Sequence, residues 1–160
     1  MSENTSAGTD TETETDTGTA TTARTPADTK IAVVVREDLA TWQKLNVTAF
    51  AVSGVAAIAP HTIGEPYVDA SDVQYLPMFG QPVLVFAATA AQLRKGHRRA
   101  LERELHMTVY PEELFGTFND EDNRAVVRKI ATEDLSLAGL CVYGPRAHVD
   151  AALKGLSLHR

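Results

Sequence analysis

A chain of 160 residues, 44% hydrophobic and 22% charged, is one domain's worth of sequence and long enough to bury a core of its own. Its formal charge of −6 is uneven: residues 1–29 hold six of the 21 acids (Glu3, Asp10, Glu12, Glu14, Asp16, Asp28) and one base, Arg24. The rest is near neutral, which neither invites nor forbids a nucleic-acid partner. A single cysteine, Cys141, excludes an intramolecular disulfide and a cysteine-built metal site, and the five histidines show no ligand spacing, so no metal and no cofactor are expected.

Residues 1–29 contain eleven threonines and almost nothing apolar. Such a segment cannot offset its ordering entropy by burial and is expected to be a disordered, solubilising tail, with residues 30–160 forming a single domain. No signal-peptide core and no uninterrupted apolar run of membrane-spanning length occur, so no membrane partner is expected and a soluble cytoplasmic protein is the default.

"KIAVVV" is continuous and β-branched, the pattern of a strand covered on both faces. "TWQKLNVTAFAVSGVAAIA" is too long for a strand and predicts a mostly buried helix, with Thr41 as N-cap and an end before Pro60. In that helix Ser53 reads as a small residue permitting close packing. "YVDASDVQYL" predicts two short strands around an Ala70-Ser71-Asp72 turn, and "QPVLVFAAT" a buried strand.

"TAAQLRKGHRRALEREL" predicts an amphipathic helix with Leu93, Ala100, Leu101 and Leu105 on one face and bases on another. "HMTVYP" is a short strand stopped by Pro111. "NDEDNRAVVRKIAT" opens on capping residues and acids and carries Arg128 and Lys129 towards its end, as the helix dipole favours. "SLAGLCVYG" is a final buried strand, in which Cys141 reads as a buried thiol. "PRAHVDAALKGL" is a helix with Pro145 in its first turn and Gly155 at its end. Strands alternating with helices make the class α/β: a three-layer α/β/α arrangement on a mixed central sheet of about four main strands.

The junction after Val35 sits at the carboxyl end of a central strand, where open α/β sheets place ligands. Arg36, Asp38 and, two helical turns on, Lys44 could hold a phosphate or orient a water there. The competing reading is a surface Arg36–Asp38 pair with a snorkelling Lys44. Asn46 and Thr48 lie in the apolar part of the same helix and need partners, either backbone carbonyls or a ligand. Arg94, Lys95, His97, Arg98, Arg99 and Arg103 form the chain's basic concentration, either a phosphate-binding face or a solvated one. P-loop, G-x-G-x-x-G and G-x-S-x-G signatures do not occur.

"KIAVVVREDL", followed by Lys44 and a small-residue helix, resembles the opening of type II peptidyl-tRNA hydrolases. "LAGLCVYGPRAHVDAALKGLSL" resembles that superfamily's last strand, glycine-proline turn and closing helix. "REDLATWQKLNVTAFAVSG", "NDEDNRAVV" and "GPRAHVDAALKGL" are similar to a bacterial domain-of-unknown-function family, number 2000, placed in the same superfamily. The resemblance covers residues 30–160 and implies the hydrolases' fold, homodimerisation, and a site containing Asp38 and Lys44, with Thr117 a loose match. The hydrolases' loop aspartate has no counterpart in "YPEELFGTF".

Two functions follow as expectations. One is a binding or regulatory domain that holds a small anionic or nucleotide-like ligand through Arg36, Asp38, Lys44, Asn46 and Thr48. The other is a divergent hydrolase acting on peptidyl-tRNA or a related ester, with Asp38 and Lys44 as catalytic candidates. A basic stretch on the same face as Lys44 would favour the hydrolase.

Overall fold

Alternate side chains of the apolar run that starts the domain leave on opposite sides of the backbone, and both sides find cover. Ile31, Val33 and Val35 pack with one helix, while Ala32 and Val34 pack with two others on the opposite face. The computed structural model describes residues 28–160. In chain order it runs β1 (Thr29–Arg36), α1 (Thr41–Ile58), the hairpin β2 (Tyr67–Val68) and β3 (Gln74–Tyr75), β4 (Val83–Ala88), α2 (Ala90–Leu101), β5 (His106–Pro111), α3 (Asp120–Val127), β6 (Leu137–Pro145), α4 (Arg146–Ala152) and β7 (Ser157–Leu158).

The main sheet is mixed, in the order β5-β6-β1-β4-β7. β4 runs parallel to β1, and β6 antiparallel to it. β5 is antiparallel to β6 and therefore points the same way as β1, so β1, β4 and β5 end at one edge of the sheet. α1 lies on one face through Val47, Ala51 and Val55; α2 and α4 lie on the other through Leu93, Ala100, Val149 and Ala152. The three-layer order expected from the strand–helix alternation is present, with five strands where about four were expected. The extra one, β7, spans two residues and carries too little pattern to be read in advance. The hairpin lies where it was expected, between α1 and β4.

Several local expectations change. α1 is not mostly buried: only the stripe facing the sheet is covered, and Trp42, Leu45 and Phe50 are 61%, 67% and 59% exposed. A single helix on a sheet can bury one stripe, and no second layer lies over α1. Its N-cap is Ala40 instead of Thr41, with the Gln43 side chain accepting from the Ala40 N–H at 3.0 Å. Ser53 is exposed, and the close approach belongs to Gly54, where a Cβ would collide with the Thr108 side chain of β5.

α2 stops at Leu101, so Leu105 reaches the core from the loop beyond it. α3 stops at Val127, which leaves Arg128 as its C-cap and Lys129 outside. The thiol of Cys141 is buried, and burial pushes it up to about 12. Residues 1–27 of the expected tail lie outside the described residues; Thr29 is already part of β1. No described helix is long and apolar enough to cross a membrane.

Candidate functional site

Arg36 ends β1, and its side chain is 12% exposed. Its Nε donates to Asp38 at 2.6 Å and its other arm donates to Glu112, the first residue after β5. Glu112 also accepts from the Ser136 hydroxyl at 2.6 Å, just before β6. One guanidinium thus ties together the carboxyl ends of β1 and β5 and the start of β6 between them. The hydrogen bond to Glu112 raises the Arg36 pKa, and Arg36, then Ser136, holds the Glu112 carboxyl below the usual carboxylate range. With Nε and Nη2 each engaged by a carboxylate, the charge of this guanidinium is paired within the protein.

The other expected residues do not join it. Positions two apart on a helix point about 200° apart, so Lys44 and Asn46 leave α1 on opposite flanks of its buried stripe. Thr48 follows Lys44, and its hydroxyl donates back to the Lys44 carbonyl at 2.8 Å. Lys44 is half-buried and forms no ion pair with a described residue. Asn46 turns towards β5, where its Oδ1 accepts from the Tyr110 hydroxyl at 2.8 Å. Burial raises the Tyr110 pKa and keeps that hydroxyl a donor.

Asn46 leads to a cleft that none of the charged candidates reaches. Between α1, β5, the 3-10 turn Glu112–Gly116 and α3 lie two contiguous cavities of about 460 and 430 Å³, sharing Phe50, Tyr110, Leu114, Asp120 and Asn123. Trp42, Asn46 and Phe50, at i, i+4 and i+8, form the α1 wall. The aromatic rings are in sequence: Trp42 lies 5.6 Å from Phe115, Phe115 lies 5.1 Å from Tyr110, and Tyr110 lies 6.3 Å from Phe50. Thr117 lines the same space, its hydroxyl donating to the Leu114 carbonyl and lying against the Asn123 side-chain amide, so Asn46 and Thr117 are the two expected residues brought together. At the far end stand Arg124, paired with Asp120, and Arg128, which forms no ion pair with a described residue.

Glu112 and the aromatic wall were missed in the sequence. The signal for Glu112 was an acid directly after a strand, matching Arg36 at the end of β1. The signal for the wall was the spacing of Trp42, Asn46 and Phe50, hidden because α1 is apolar on every side.

The profile of the family described as Protein of unknown function (DUF2000) matches residues 29–160. The chain belongs to the DUF2000 family. A solved structure of a protein of unknown function from Agrobacterium tumefaciens str. C58 is similar, with 44% identity, a TM-score of 0.81, and coverage of 83% of this chain and 98% of that one. The comparison with curated proteins returned no match. Among the described residues no group of three or more His, Cys, Asp or Glu side chains could hold a metal ion.

Proposed function

We propose that this protein is a binding or regulatory domain that takes a small nucleotide-like ligand in the α1–β5–α3 cleft. The carrying observation is the aromatic wall of Trp42, Phe115, Tyr110 and Phe50 lining two joined cavities while Trp42 and Phe50 remain more than half exposed. A flat heterocycle would stack on those rings, and the free amide hydrogens of Asn46 would meet a polar edge. Arg128 at the far end would take a phosphate or other anionic group. In this reading Arg36, Asp38 and Glu112 hold the sheet edge in place and leave ligand contact to the neighbouring cleft.

The alternative is a divergent hydrolase of peptidyl-tRNA or a related ester using Asp38 and Lys44. Its expected support was a basic stretch sharing a face with Lys44, but α2 packs on the opposite side of the sheet from α1. The type II peptidyl-tRNA hydrolase resemblance remains a proposal about ancestry, resting on the opening strand–turn–helix and on the closing strand, Gly144–Pro145 turn and helix. Homodimerisation, which that resemblance implies, would draw on the exposed Leu45 of α1 and on Tyr75 and Leu76 of the hairpin.

The chain's single tryptophan lies in the cleft, so its fluorescence reports occupancy directly. Titration with purine and pyrimidine nucleotides should quench it, and Asn46→Ala or Phe50→Ala should weaken binding about tenfold, the loss of one good stacking or polar contact. Absence of quenching by every nucleotide tried, or quenching indifferent to both substitutions, would sink the cleft reading. Hydrolysis of peptidyl-tRNA abolished by Lys44→Ala would establish the alternative instead.

A further inference from the structure

On the sheet face away from the cleft, a small cavity of about 180 Å³ opens between α2 and the end of α4. Gln92, Lys95 and Arg99 line it from α2, one helical turn apart or nearly so, and Lys154 lines it from the turn after α4. None of the lining residues is acidic, and Lys95, Arg99 and Lys154 form no ion pair with a described residue. Other bases nearby behave differently: Arg98 on α2 and Arg103 just beyond it both reach Glu102, His97 is buried with its pKa lowered by desolvation, and Arg94 does not line the cavity.

Bringing three unpaired cations to one concavity costs free energy through mutual repulsion, unless an anion enters. The backbone leaves room for one. Gly96 and Gly155 both line the cavity without side chains, and a Cβ at Gly155, whose φ is +92°, would meet nothing within 4 Å. Arg99 is also held: its Nη1 donates to the Lys154 carbonyl at 3.3 Å, which ties the guanidinium of α2 to the turn that carries the third cation. The guanidinium's remaining donors and two ammonium groups suit a compact tetrahedral oxyanion, and the volume is too small for a base and sugar.

We infer that the α2–α4 cavity is a binding site for a phosphate-class oxyanion, held by Lys95, Arg99 and Lys154. This site is independent of the cleft and would work whether or not the cleft binds a nucleotide. The test is calorimetric titration of the full chain with inorganic phosphate and with glycerol 3-phosphate, in chloride buffer at constant ionic strength. Saturable binding is expected, weakened about tenfold or more in a Lys95→Gln/Lys154→Gln variant, both side chains being exposed and outside the core. Arg99→Lys should fall between, because it keeps the charge and loses the fork, and Lys129→Gln, an exposed base lining neither this cavity nor the cleft, should change nothing.

Tighter binding of the ester assigns the site to a phosphomonoester, and tighter binding of inorganic phosphate assigns it to the free ion; either upholds the inference. No binding beyond chloride, or binding indifferent to the double variant, overturns it. Capture of a single-stranded RNA oligomer without any affinity for phosphate also overturns it, since that would be a solvated basic face acting as a whole.

Discussion

The two faces of the sheet are finished differently. On the α2/α4 face, two helices share the cover, and Leu93, Leu140, Val142 and Val149 are sealed beneath them. On the α1 face, one helix carries the load, its sealed residues are mostly small (Val47, Ala51, Val55), and large side chains stay outside. A chain that seals large side chains under two helices on one face, yet leaves Trp42, Leu45 and Phe50 open on the other, is spending burial on the first and surface on the second. The closed face is where stability is made. The open face is where recognition has room.

That division can be broken by mutation. Leu93→Ala should lower unfolding free energy by about 2–5 kcal/mol, as for other sealed leucines. Leu45→Ala on the open face should cost under about 1 kcal/mol, because little is lost from a side chain already in water. Denaturant unfolding with matched slopes measures both. Equal costs would mean that α1 is covered in solution, for example by a second copy.

The sheet edge offers a sharper, smaller effect. Glu112→Gln should cost about 1 kcal/mol, a value kept low because the carboxylate is partly exposed. Since the folded-state pKa of Glu112 is depressed, its contribution is present above the ordinary value of 4.5 and disappears as the pH falls through the lower folded value. Unfolding curves of wild type and variant should therefore converge in acid, below about pH 4.5.

His97, sealed on the closed face, has the same sign at higher pH. Burial lowers its pKa from 6.5, so the unfolded chain takes up protons first and stability falls as pH drops below that value. Replacing it, as in His97→Leu, should flatten this segment of the profile. Smallest of all, Cys141 should resist thiol reagents at pH 8 in the folded protein and react only on unfolding, because burial holds it as a thiol.

Much of this architecture could be read from residues alone. The β1 run, the Asp69–Val73 turn of the hairpin and the Asn119 cap of α3 are local signals, and each element formed where its signal stood. The Arg36–Glu112 pair was not readable. Its members are 76 positions apart, and their meeting depends on β1 and β5 flanking β6 and ending at the same sheet edge. The separation of Lys44 from Asn46 was legible in helical periodicity, but a helix apolar on all sides gives no indication of which stripe faces the sheet. The placement of α2 opposite α1 belongs to topology, which no single segment encodes.

β7 gives the sheet one more property. Phe86 and Ala87 of β4 pair with Leu158 and Ser157, and the His159 N–H donates to the Val85 carbonyl at 2.9 Å. "VLVFAA" is uncharged, and such a strand with a bare outer edge is a template for edge-to-edge association between molecules. Two paired residues and one further hydrogen bond act as a gatekeeper, occupying an edge that would otherwise recruit neighbours in a concentrated solution.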